Sequence, residues 1–358
     1  MNITRGYSSL LLAVMTVVTS GNHTSFTETR ENDMDKIYEK TFVEINGSKQ
    51  GMFIKGDNKN NPVLLFLHGG PAMPEYGMTQ KYPTYLEKYF VVCWYEQRNA
   101  GLSYNKNTNL EELPIENIVS DTLETANYLR NRFNKDKIYL MGHSWGTLIG
   151  VKTIYQNPEL FNAYIGVAQI ANQLKSEHIA YEFMLAEYKR MGNKSMVKKL
   201  EKYNLLESDF IPPKYAEFRD KPMHKMKSVI SGIFLPIIRN KEYTFIERIN
   251  IWRAKSICLN KTNLWETMIN TDLTKEITEI NIPIYFFHGI YDYTVNYTLA
   301  KEYFKNINAP LKGFYTFSHS AHSPIFEETE RVGKIIVEDV LNLRNNNMDN
   351  NEVNIERI

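Results

Sequence analysis

The sequence predicts an α/β fold, a mostly parallel central sheet flanked by helices, with an inserted helical unit. Two observations carry this. Short, almost wholly apolar runs recur along the chain, as strands covered on both faces require, and stretches long enough for a crossover helix separate them. Between residues 171 and 280 the apolar runs give way to charged and aromatic helical stretches. The 358 residues are 43% apolar and 13% aromatic, enough to bury a large core, which excludes disordered and fibrous classes. A formal charge of +1 offers no basic excess for nucleic acid or anionic lipid. Two cysteines, Cys93 and Cys258, cannot staple a chain of this size and match no paired metal-ligand spacing.

In chain order, Arg5 precedes an apolar run over 10–18, too short to span a bilayer but suited to the middle of a signal peptide, with small residues before Gly21. Segment 1–31 is expected to be either a leader that exports the protein or a loose extension of a cytoplasmic one. Membrane contact is expected only if the segment is kept as an anchor. The first core part, 32–170, opens with runs at 41–45 and 51–55 around Asn46-Gly47, a dipeptide that accepts the positive φ of a tight hairpin. Buried strands follow at 63–67, 90–94, 138–141 and 163–167. Ile118, Leu123, Ala126, Leu129 and Phe133 predict a helix over 117–133, and a second over 146–156 stops at Asn157-Pro158. The insertion, 171–280, carries helices near 177–190 and 196–203, with breaks expected at Pro212-Pro213, Pro222 and Pro236. The second core part, 281–345, has strands at 284–287 and 313–317, a helix over 297–305 and a last helix after Pro324. Residues 346–358 read as a polar, asparagine-rich tail.

Gly142-His143-Ser144-Trp145-Gly146 directly follows the strand at 138–141 and precedes a helix, the context of a nucleophile elbow. The sharp turn would raise Ser144 clear of the sheet, while side chains at 142 or 146 would collide with neighbouring elements. His68-Gly69-Gly70-Pro71 ends the strand at 63–67, so the backbone N–H of Gly70, with that of Trp145 at the helix start, would form a two-donor oxyanion hole. A serine nucleophile needs a base and an orienting acid, expected C-terminal to it in the order acid then histidine. Asp292, just after the strand at 284–287, is the candidate acid. Ser318-His319-Ser320-Ala321-His322-Ser323-Pro324 offers two histidines, of which His322, at the start of the last helix, is preferred as base. His143, His224 and His288 are expected to be structural.

The elbow, His-Gly-Gly-Pro and the acid-then-histidine order resemble the α/β-hydrolase superfamily, in particular its proline iminopeptidase branch, serine peptidase family S33. The resemblance runs from about Ile37 to Val340 and takes in Glu96-Gln97-Arg98-Asn99-Ala100-Gly101-Leu102-Ser103 and the residues around His322. It departs at Ala72, Asn99 and His143, where the family has glycine. It implies that the insertion is a cap over the site, that His68, Gly69 and Pro71 line the substrate pocket, and that cap carboxylates receive the substrate's α-amino group. The counterpart of one such Trp-Glu pair is Trp252-Arg253, where a cation would repel that amine, with Glu242, Glu247 or Glu266 as substitutes. The expected activity is an aminopeptidase releasing N-terminal residues, proline first, from short peptides. The alternatives are a carboxylesterase or amidase on small acyl substrates and a catalytically silent binding scaffold of the same fold. No cofactor or metal is expected, as the chain has no dinucleotide fingerprint, phosphate loop or His-Glu-x-x-His pattern.

Overall fold

The computed structural model describes residues 35–215 and 232–344. Strands β1 (Ile37–Ile45) and β2 (Ser48–Gly56) pair antiparallel, their turn made by Asn46 at φ 46° and Gly47 at φ 70°. Six further strands complete the sheet: β3 (Val63–Leu67), β4 (Val91–Tyr95), β5 (Ile138–His143), β6 (Phe161–Val167), β7 (Ile284–Gly289) and β8 (Lys312–Phe317). The order is β1-β2-β4-β3-β5-β6-β7-β8, with β2 antiparallel to β4 and all later pairs parallel. Strand order therefore reverses at β3, which has β4 on one side and β5 on the other. In an open α/β sheet the crevice beyond the strand ends at such a reversal is where ligands bind.

The apolar runs are explained by two separate clusters, one on each face. Leu65, Leu67, Ile138 and Leu140 face one side, packing with Ile118, Ala126 and Leu129 of α1 (Ile115–Phe133) and Leu148, Ile149 and Val151 of α2 (Trp145–Gln156). The intervening Leu64, Phe66, Tyr139 and Met141 face the other, with Ile325, Val332 and Ile336. A strand with both faces covered has no position at which a polar residue is cheap.

Between β6 and β7 every regular element among the described residues is helical: α3 (Gln173–Arg190), α4 (Lys194–Glu201), α5 (Phe234–Arg239), α6 (Phe245–Asn260), α7 (Leu264–Asn270), α8 (Leu273–Glu276) and a short 3-10 turn (Leu205–Glu207). Pro236 does not break the chain there. It lies in the first turn of α5, where a missing N–H costs nothing because that amide has no intrahelical partner. Helix α6 begins with a capping box, Thr244 and Glu247 each satisfying the other's backbone N–H. After β7 come α9 (Tyr297–Asn306), then beyond β8 α10 (Pro324–Glu327) and α11 (Thr329–Ile335), the last helix being divided at Glu328 by its φ of −130°. Among the described residues no helix is long and apolar enough to cross a membrane. The signal-like segment, Pro222, His224 and the polar tail lie outside the described residues.

Candidate active site

Ser144 follows β5 directly and caps the N-terminus of α2, with φ 53° and ψ −120°. The flanking glycines are required by space. A Cβ on Gly146 would lie 2.1 Å from the Leu67 carbonyl oxygen, and one on Gly142 2.4 Å from the Gly146 oxygen. Ser144 is half-buried while its neighbours from Met141 to Val151 are buried, so it is the residue of the elbow that solvent reaches. The loop after β3 comes to the same place: a Cβ on Gly69 would lie 3.4 Å from the Ser144 Cβ. Gly70 has φ 141°, a conformation an L side chain rarely adopts. The Trp145 amide is in the first turn of α2, where the helix itself supplies no acceptor and the dipole favours an anion.

Asp292 and His322, from the loops after β7 and β8, meet each other, and the His322 carbonyl lies 2.8 Å from Nε2 of His143, the residue before Ser144. His322 Nδ1 donates to Asp292 Oδ2 at 2.8 Å, which fixes the tautomer with the lone pair on Nε2. Asp292 Oδ1 accepts from the amides of Thr294 and Val295, each at 2.9 Å. Burial opposes its charge, but the imidazoles of His322 and His288 and their hydrogen bonds hold its carboxyl well below the usual range. His288 Nε2 donates to the Val295 carbonyl at 2.9 Å and lies 3.4 Å from Asp292 Oδ2. Of the two candidate histidines, His322 is buried against the acid, whereas the His319 ring is exposed beside Ser318.

Around the elbow lie contacts that sequence reasoning missed. Gln97 accepts from Trp145 Nε1 at 3.0 Å and donates to the His68 carbonyl at 3.3 Å, while its backbone N–H donates to His68 Nε2 at 3.1 Å. His68 is thus wholly buried and held by backbone, its imidazole kept below its ordinary value by burial. Glu75 accepts at Oε1 from the Gly69 amide at 3.2 Å and pairs through the same oxygen with His143 Nδ1. Gln97 had a signal, its place in the Glu-Gln-Arg stretch; Glu75 had none. Ala72 and Asn99, where the resembling family has glycine, hold φ of 57° and 58°.

The other residues singled out from the sequence have partners of their own or are exposed. Trp252 on α6 is half-buried against Phe234, ring centroids 5.2 Å apart, and Arg253 beside it is exposed. Glu242 is engaged by Tyr76 and by Lys55 at 3.1 Å, and Glu247 by Lys40 at 2.6 Å as well as by its capping box. Glu266 is exposed on α7. Among the described residues no group of three or more His, Cys, Asp or Glu side chains could hold a metal ion.

The arrangement, a serine on a strained strand-to-helix turn with an aspartate-held imidazole, is one that many hydrolases share. The sequence profile of the alpha/beta hydrolase fold matches residues 62–329. A probable aminopeptidase, YbaC, of Bacillus subtilis (strain 168) is 30% identical over 292 residues, 80% of this chain and 91% of that protein. A proline iminopeptidase of Saccharolobus solfataricus is 25% identical over 306 residues, covering 80% and 86%. The crystal structure of the proline iminopeptidase of Mycobacterium smegmatis superposes with a TM-score of 0.61 at 13% identity, over 84% of this chain and 97% of that one, a likeness of fold. With the profile spanning most of its length, the chain belongs to the alpha/beta hydrolase fold family, and its relatives include proteins named aminopeptidase and proline iminopeptidase.

Proposed function

We propose that this protein is a serine hydrolase acting through Ser144, His322 and Asp292, and that it is an aminopeptidase releasing N-terminal residues, proline preferred, from short peptides. The observation that carries the mechanism is the His322–Asp292 pair at 2.8 Å on the loops after β7 and β8, beside an elbow serine at φ 53°. Ser144 Oγ attacks the carbonyl carbon of the scissile bond as His322 Nε2 takes its proton. The oxyanion is received by the amides of Gly70 and Trp145. His322 then protonates the leaving amine, and water, deprotonated by the same imidazole, releases the acyl group. Asp292 stabilises the imidazolium and does not itself take the proton. The helices between β6 and β7 serve as the cap that closes the pocket over a chain end. The names of the relatives support the peptidase reading, and no cofactor enters the mechanism.

The test is labelling with a serine-reactive fluorophosphonate, wild type against Ser144→Ala, followed by Pro- and Ala-arylamides with free or blocked amine. Labelling that is lost in the variant, with Pro-arylamide cleaved only when its amine is free, is the expected result. Labelling with ester turnover and no cleavage of any free-amine substrate would overturn the peptidase part and leave a carboxylesterase or amidase. Labelling unchanged in Ser144→Ala would overturn the mechanism.

A further inference from the structure

His143 occupies the residue before the nucleophile, and both of its ring nitrogens face acceptors. Nε2 lies 2.8 Å from the backbone carbonyl of His322, which can only accept, so that nitrogen carries hydrogen. Nδ1 meets Glu75 Oε1, an oxygen that already accepts from the Gly69 amide. With Glu75 ionised, Nδ1 carries hydrogen as well, which makes the ring an imidazolium with the Glu75 carboxylate as its counter-ion. Both side chains are buried, at 2% and 7% exposure, where either charge alone would be costly and the neutral pair is tolerated. Burial lowers His143, but Glu75 and the His322 carbonyl outweigh it and leave it above the ordinary imidazole value.

We propose that Glu75 and His143 are a positioning pair that ties the oxyanion loop, the elbow and the base loop together and sets a fixed positive charge beside His322. This rests on the catalytic reading of Ser144 and His322. Gly69 on the loop after β3, His143 at the end of β5 and the His322 backbone on the loop after β8 are joined in one hydrogen-bonded chain, so a shift in any one of them disturbs the others. The imidazole rings of His143 and His322 have centroids 4.9 Å apart. A second cation at His322 is therefore opposed, and the base stays unprotonated to lower pH than it otherwise would. Among the described residues, the charged and titratable groups around the two rings include Glu75 and, beside it, His68 from the loop after β3, Asp292 with His288 from β7 and its loop, and Glu327 of α10, which accepts from the Ala321 amide at 2.9 Å. Ser323 Oγ is 3.5 Å from His143 Nε2.

The experiment is the pH dependence of kcat/KM for wild type, His143→Gln and Glu75→Gln on an arylamide or ester that the wild type turns over, with circular dichroism to establish folding. Both variants should lose about tenfold or more in kcat with KM nearly unchanged, as expected of misplaced catalytic groups. Their acidic limbs should move to higher pH by about half a unit or more, because His143→Gln removes the cation and Glu75→Gln takes away the counter-charge that keeps the buried His143 ring protonated; loss of packing alone would not produce this. Acidic limbs that coincide with the wild type would overturn the proposal. If a variant fails to fold, nitrogen-15 histidine NMR of the wild type near neutral pH takes its place: both ring nitrogens of His143 protonated supports the pair, and a singly protonated ring refutes it. Labelling of Ser144 separates the two ideas, since its persistence in Ser144→Ala removes the catalytic reading itself, whereas its loss there with unmoved limbs removes only the pair.

Discussion

Three non-glycine residues of the site loops hold left-handed backbone: Ala72, Asn99 and Ser144. Asparagine tolerates that region, and at Ser144 the strain lifts the hydroxyl out of the sheet, but Ala72 has no compensating side chain. Ala72→Gly should therefore stabilise the fold by about 1 kcal/mol, read as a higher urea midpoint with unchanged slope. The opposite sign holds at Gly146. A methyl there would press on the Leu67 backbone, which cannot swing aside, and Gly146→Ala should cost several kcal/mol or prevent folding, seen in the same titration. Asp292→Asn should fold normally and lose about 10³–10⁴ in kcat, because an amide can hold the wrong imidazole tautomer. The glycines, the serine and the acid-then-histidine order were legible in the sequence because each obeys a local rule of turn geometry or strand-end position. Glu75 and His143 were not, since what makes them a pair is the folding of β3 beside β5, and a lone glutamate in an apolar loop carries no such mark.

At the scale of elements, the buried strands could be read directly because each is covered on both faces. The helices between β6 and β7 were harder, as α5 runs through Pro236 and α6 has apolar residues around much of its circumference, Phe245 and Ile246 being exposed. No periodicity announced what joins the β1–β2 hairpin to the rest. Arg98, just beyond β4, donates to both oxygens of Asp121 on α1, at 2.6 and 2.7 Å, and to the Asn46 carbonyl at 3.2 Å in the hairpin turn. Asp121 also accepts from Gln50 at 2.7 Å and Asn46 at 3.0 Å. One carboxylate thus pins hairpin, strand end and helix. Asp121→Asn leaves the half-buried guanidinium without its counter-charge and should destabilise by about 1–3 kcal/mol, measured by chemical denaturation.

Across the whole molecule, the sheet and the helical region are linked by Glu96, which follows β4 and accepts from the Tyr243 hydroxyl and the Leu102 amide. Burial pushes its carboxyl up to about 8, against those two hydrogen bonds that favour the charged form. The folded protein then keeps a proton that the unfolded chain releases near the ordinary carboxyl value. Stability from this group is complete below that value and declines as pH rises toward 8. The melting temperature should fall over that interval by more in the wild type than in Glu96→Gln, whose carboxamide cannot ionise; equal slopes would refute the assignment. The sheet order has a consequence in time as well as in space. Ser144 is synthesised early, at the end of a central strand, whereas Asp292 and His322 arrive with β7 and β8, the last strands to join and the outermost at that edge. A nascent chain on the ribosome, or one cut short before β8, carries its nucleophile without a base. On the proposed mechanism it is therefore chemically inert, and premature termination produces a silent protein and not an unregulated hydrolase.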